Sequence, residues 1–195
     1  MRLRAGAAIA VLLLAGACGG SDDSPDDEAT PTTSPSASEP SAVDLVAAPG
    51  AVGPVLAGMT VDEANATGLF EPRETPDDDP CKDAYAEIQW KAPNTEDLLV
   101  AVEDDEIAIL GIRGTVKTAK DVGVDSTYAD VKAAYPDAKV EESQADGSTV
   151  YLQDGEKWLG MGFVEQPDEI TDSSKIVFME ASSSKPTVYL SGCSY

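Results

Sequence analysis

The sequence predicts an α+β fold: two tandem helix-plus-antiparallel-strand repeats forming one compact domain. Three observations point there. Thr60 with Glu63, and Thr127 with Asp130, each place a hydroxyl three residues before a carboxylate, a pairing that satisfies free amides at a helix start. Strand-like runs separated by turn-forming residues follow each pattern. Landmarks also recur at nearly one offset: Thr60 and Thr127 lie 67 residues apart, Trp90 and Trp158 lie 68 apart, and Ile109 and Ile176 lie 67 apart. A fixed offset is the mark of an internal duplication. The repeats would occupy about 53–115 and 120–182 of a 43–195 domain, with a closing strand at 186–192. Chance alignment is the alternative, because few residues coincide outside the landmarks.

Taken in order, the chain starts with Arg2 and Arg4, an apolar run from Ala5 to Leu14, and the small residues Ala15, Gly16 and Ala17 before Cys18. A positive region, a short hydrophobic region and small residues before a cut make residues 1–17 a secretory signal. The run is too short to cross a hydrocarbon core that needs about 20 apolar residues. With Cys18 directly after it, the segment resembles the lipobox of bacterial lipoproteins. That resemblance implies cleavage before Cys18, a diacylglycerol on its sulfur, and an extracytoplasmic, lipid-anchored protein at the cell membrane. Leucine usually stands three residues before the cysteine; here Ala15 does, with Leu14 one further back, the looser form of the pattern. A plain secretory signal with an incidental cysteine is the alternative.

Residues 18–42 read as the lipidated cysteine followed by a disordered tether. Gly19 to Ser41 contains Gly, Ser, Thr, Pro, Ala and acids but no Leu, Ile, Val or aromatic residue. Such a composition cannot bury enough apolar area to offset its ordering entropy. Charge narrows the partners. Of the 13 basic residues two precede Cys18, and all 36 acidic ones follow it, leaving −25 on the processed side chains. A surface of that sign repels phosphate backbones and anionic headgroups, so nucleic-acid binding is excluded as an expectation.

Within the domain, Thr60 starts a helix that should end by Gly68, and a polar loop spans Glu71 to Pro80. Strand-like runs follow at Ala84–Lys91, Asp97–Val102 and Glu106–Arg113, the last two joined through Asp104 and Asp105 as a hairpin. From Val122 the pattern restarts. Tyr128, Val131 and Tyr135 give a helical apolar stripe that Pro136 stops. Thr149–Gln153 and Lys157–Val164 flank an Asp154-Gly155 turn and read as a second hairpin. Ile176–Met179 and Thr187–Leu190 supply closing strands.

Cysteine arithmetic adds one covalent expectation. With Cys18 carrying lipid, Cys81 and Cys193 remain as an even pair in an oxidising compartment and read as one disulfide. A loop of that length is worth roughly 4–5 kcal/mol in the loop-closure argument. The chain has no histidine, which excludes serine-histidine and cysteine-histidine nucleophiles. Ser182 and Lys185 match a Ser-x-x-Lys pattern, but Ser182-Ser183-Ser184-Lys185-Pro186 reads as a turn, and its companion motifs are missing. Gly160-Met161-Gly162 lacks the third glycine of a dinucleotide fingerprint. Asp77 to Asp79, and Glu103 to Glu106, offer calcium-type oxygens without the spacing of a binding loop. No catalytic residue, cofactor or metal set is expected.

The stretch Gly58-Met59-Thr60-Val61-Asp62-Glu63-Ala64, and less closely Val124 to Val131, resembles the helix start of beta-lactamase-inhibitor-like and outer-membrane-assembly lipoprotein modules. The layout as a whole is similar to small actinobacterial secreted lipoproteins of unassigned activity. The resemblance implies helices on one face of an antiparallel sheet, used for holding other proteins. The expected function is a membrane-anchored cell-envelope lipoprotein presenting a non-catalytic domain that binds an envelope protein or small ligand. An envelope hydrolase or carbohydrate-active enzyme using carboxylates, and a calcium-stabilised structural module, are the alternatives.

Overall fold

Strands rather than helices build this molecule. The structure is a computed structural model that describes residues 45–75, 77–78, 86–143 and 147–187. Of these, 41% are strand and 10% helix, so the fold is β-rich and the expected α+β repeats are corrected. The strands are β1 (Val46–Ala48), β2 (Ala51–Val52), β3 (Val55–Leu56), β4 (Phe70–Pro72), β5 (Ile88–Trp90), β6 (Leu98–Glu103), β7 (Glu106–Ile112), β8 (Lys117–Thr118), β9 (Val140–Glu142), β10 (Ser148–Asp154), β11 (Lys157–Phe163) and β12 (Phe178–Ser182). The helices are α1 (Val61–Ala66) and α2 (Tyr128–Ala134).

They form three sheets. One has the order β3-β2-β1-β8, with β8 parallel to β1. The largest has the order β6-β7-β12-β11-β10-β9 with antiparallel neighbours throughout. The third is the β4-β5 pair. Because side chains alternate along a strand, cross-strand rows put apolar residues on one face of the large sheet. One row runs Val100, Leu110, Ala181, Leu159, Leu152; the next runs Leu98, Ile112, Met179, Met161, Val150, Val140. These rows join Val52, Val55, Phe70 and Trp90 from the other sheets in one core. Each fully buried large aliphatic residue there contributes about 1.5–3 kcal/mol.

The local signals are realised. Both capping boxes are closed: Glu63 N–H donates to Thr60 Oγ1 at 3.2 Å and Thr60 N–H to Glu63 Oε2 at 2.9 Å. Asp130 N–H donates to Thr127 Oγ1 at 3.3 Å and Thr127 N–H to Asp130 Oδ2 at 2.8 Å. The β6-β7 hairpin turns through Asp104 and Asp105, with φ of 50° and 67°, left-handed values whose twist matches paired strands.

The repeat fails at the level of strand partners. Residues 165–170, which the 67-residue offset would equate with β6, form turns and irregular backbone. Trp90 sits in the two-stranded sheet, whereas Trp158 sits in the six-stranded one. The sheet formed by β1, β2, β3 and β8 joins Val46 to Lys117 across the expected repeat boundary. Capping is a local property, while strand pairing is decided by distant partners, so equal spacing of caps does not carry equal pairing. The polar loop expected from Glu71 starts inside β4, and Ile176 precedes β12 rather than opening it. The closing strand at 186–192 lies largely outside the described residues.

A groove beside the outer edge of β10

Cys18, Cys81 and Cys193 lie outside the described residues, as do the signal and the tether. Ser182 ends β12 and its hydroxyl donates to the Ser184 carbonyl at 2.6 Å, while Lys185 pairs with Glu141; the Ser-x-x-Lys spacing brings no serine and lysine together. Asp104 and Asp105 occupy the tight hairpin turn. Among the described residues, no three acidic, cysteine or histidine side chains gather as a metal set.

A site arises where β9 stops short. β10 pairs with β11 along its whole length, but with β9 only at Ser148, Thr149 and Val150. Ser143 N–H donates to the Gly147 carbonyl at 3.2 Å, and antiparallel alternation places the next mutually bonded pairs at Glu141/Thr149 and then Lys139/Tyr151. Lys139 has already left the ladder. The backbone N–H and C=O of Tyr151 and Gln153 therefore face outward from the sheet, with no backbone partner among the described residues.

The segment that departs becomes the opposite wall. Pro136 cannot continue a helix, and Tyr135 at the α2 C-cap turns to φ −134° and ψ 73°. Residues Tyr135 to Ala138, together with Ala47–Pro49 and Thr118–Lys120, surround a groove of about 660 Å³ that reaches Leu152 and Leu159. That volume is in the range of ligand sites, about 300–1,000 Å³. Lys120 braces the wall: its ammonium donates to the Ala134 carbonyl and lies 4.6 Å from the Tyr135 ring centroid.

The edge itself is held rigid by its side chains. The Tyr151 hydroxyl donates to the Pro186 carbonyl at 3.1 Å, and its ring meets Trp158 edge-on at 5.9 Å. Burial pushes the Tyr151 phenol pKa up, with the Lys185 ammonium 4.4 Å from its ring acting in the opposite direction. Exposed side chains of both signs, Lys120 and Asp137, stand on the groove. Asp137 lines it, and Asp154 follows Gln153 on the Leu152 face of β10. Neither belongs to an ion pair among the described residues, whose pairs are Lys117–Asp121, Lys132–Asp172, Lys175–Asp125 and Lys185–Glu141.

Sequence reading did not single out Pro49, Lys120, Asp137 or Tyr151 as a site. The available signal was the proline break after α2 next to a long hairpin strand. Fold and groove together define a β-rich domain with a partly apolar channel beside a strand edge that has no backbone partner among the described residues. Comparison with known proteins finds no family model, no curated relative and no solved structure that matches the chain. No helix among the described residues is long and apolar enough to cross a membrane.

Proposed function

We propose that this chain is a lipid-anchored cell-envelope protein whose β-rich domain binds a polypeptide segment without catalysing its conversion. The observation that supports the binding role is the outer edge of β10 beyond Val150, which has no backbone partner among the described residues and borders a groove with apolar walls, the arrangement that accepts an added strand. The anchor rests on the signal pattern ending at Cys18, and the acidic tether would hold the domain away from an anionic surface. A Cys81–Cys193 disulfide belongs to the same proposal.

Intact mass of the protein extracted from its native membrane tests the anchor. A start at Cys18 with a diacylglyceryl mass, plus a two-dalton gain on reduction, supports it; an unlipidated chain cut elsewhere overturns it. A photo-crosslinking residue at position 153 tests the binding role in the same cells. A discrete protein adduct, absent when the crosslinker replaces exposed Leu56 on β3, is the expected result. Equal labelling from both positions refutes the groove as the binding surface.

A further inference from the structure

We infer that the face of the large sheet opposite the core is the docking surface for this chain's own residues 188–195. The surface is a trough built from glycines. Gly111, Glu180 and Gly160 stand side by side across β7, β12 and β11, and Gly162 stands between Phe178 and Thr149 in the next row. Alternation along each strand puts all of them on the face away from Leu110, Ala181 and Leu159. Glycine in a strand lets another backbone come close. Water does not reach the floor of this trough: its three glycines are buried, and Glu180 and Thr149 have no exposed surface. Among the described residues, the apolar cluster on this face holds Phe178, Leu99, Ala101 and Ile109, all from the sheet itself. The Phe178 ring leans over Gly111, where a Cβ would meet it at 2.9 Å, and so away from Gly160 and Gly162 on β11. Their cover therefore comes from another part of the chain.

The chain itself enters this face at the β10 side. Past β12 it crosses β11 and β10: the Lys185 ammonium lies 5.8 Å from the Trp158 ring centroid and 4.4 Å from that of Tyr151, and it pairs with Glu141 on β9. The Tyr151 hydroxyl then holds the carbonyl of buried Pro186. From β10 the far strand, β6, is four strand spacings away, about 19 Å. The eight residues from Val188 to Tyr195 reach about 26 Å when extended. Their chemistry suits a floor that contains one buried carboxylate. None of them has a charged side chain, and Tyr189, Ser191, Ser194 and Tyr195 bring hydroxyl donors, the groups a buried carboxylate needs. Val188 and Leu190 add apolar area to set against Phe178 and Leu99. Other stretches suit it less: residues 19–41 carry six acids and no base, and residues 79–85 carry Asp79 and Asp83 against Lys82, so both bring carboxylates toward Glu180. The inference is independent of the groove, which opens on the other face.

The test uses the purified, isotope-labelled full chain and nuclear Overhauser contacts. Contacts between the Phe178 or Tyr151 ring and the methyl groups of Val188 or Leu190 are the expected result. A chain stopped after Thr187 should shift the backbone amides of Gly160 and Gly162, which lose their cover. If that shortened chain does not fold, Val188→Asp combined with Leu190→Asp in the full chain provides the same readout, because carboxylates are driven away from a buried Glu180. The ring contacts to residues 188–190 should then vanish, while the Tyr151–Trp158 contact stays.

Contacts from the same rings to residues 19–41 or 79–85, in place of 188–195, assign the cover to that segment and overturn the proposal. Contacts that appear only between differently labelled copies make the cover a second molecule and overturn it too. Gly160 and Gly162 amides that stay in place in a folded chain stopped after Thr187, or in the doubly substituted chain, likewise refute it. None of these outcomes bears on crosslinking from position 153, so the groove reading stands or falls separately.

Discussion

Leu110 and Leu159 stand in the same cross-strand row of the large sheet, both with no exposed surface, yet truncating them to alanine should cost different amounts. Each substitution removes about three methyl or methylene groups, worth roughly 2 kcal/mol in transfer alone at about 0.8 each. A sealed void adds to that, and enclosed leucine sites reach about 2.7–5.0 kcal/mol in total. Leu110 in β7 is flanked by Val100 and Ala181, and its void stays closed. Leu159 in β11 is flanked by Ala181 and Leu152 and borders the groove, so its void opens into space that water already reaches.

We expect Leu110→Ala to cost about 4 kcal/mol and Leu159→Ala about 2–3 kcal/mol. Both should remain folded, since domains hold about 5–15 kcal/mol. Urea unfolding measures the difference: at an m-value of about 2 kcal/mol/M, the two midpoints should differ by about 0.7 M. Equal losses, or a larger loss at Leu159, would refute the reading that the groove is open at its base.

Three further expectations are smaller in scope. Thr127→Ala removes an N-cap and should cost about 1 kcal/mol in denaturant unfolding. The Thr127 hydroxyl and amide hold the Asp130 carboxyl below its ordinary range, so that stabilisation is present above the unfolded carboxylate pKa and disappears as pH falls through the folded one. A carboxyl titration by NMR should move back toward the ordinary value in Thr127→Ala. Gly147→Ala should cost more than about 2 kcal/mol in the same unfolding assay, because φ is +76° and a Cβ would lie 2.1 Å from the Phe163 carbonyl oxygen. For Tyr151, burial raises the phenol pKa; its contribution is fully present below the unfolded value near 10 and fades as pH rises through the folded one. Phenolate absorbance should show a late-titrating tyrosine that Tyr151→Phe removes.

The legible parts of this fold were those encoded by neighbours in sequence. Thr60 and Glu63, Thr127 and Asp130, the Asp104-Asp105 turn and the Asp154-Gly155 turn each specify their element within a few residues. Their two caps also misled, because 13 helical residues suggested helix-led repeats in a molecule dominated by strands. β1 to β3 were hidden by brevity: Val46 to Leu56 has strands of two or three residues broken by Pro49-Gly50 and Gly53-Pro54, which read locally as turns. β12 was legible only at its start: the strand read at Ile176–Met179 stops before Glu180, which is fully buried in the middle of the actual strand, where a sequence pattern expects an apolar residue. The groove had no motif because it comes from a strand that ends early, and the length of β9 relative to β10 is decided by the whole sheet.

The strand order has a consequence for how the molecule is made. β12, the last described strand in sequence, lies between β7 and β11 in the middle of the large sheet. During synthesis both hairpins can form from local contacts, but each waits with one bare flank until residue 182 is available. An unfinished chain therefore carries two sticky ladders, the condition under which strands find wrong partners. Correct assembly depends on delivering the final insert promptly, and chains stopped before Phe178 should accumulate as aggregates rather than as a smaller native domain.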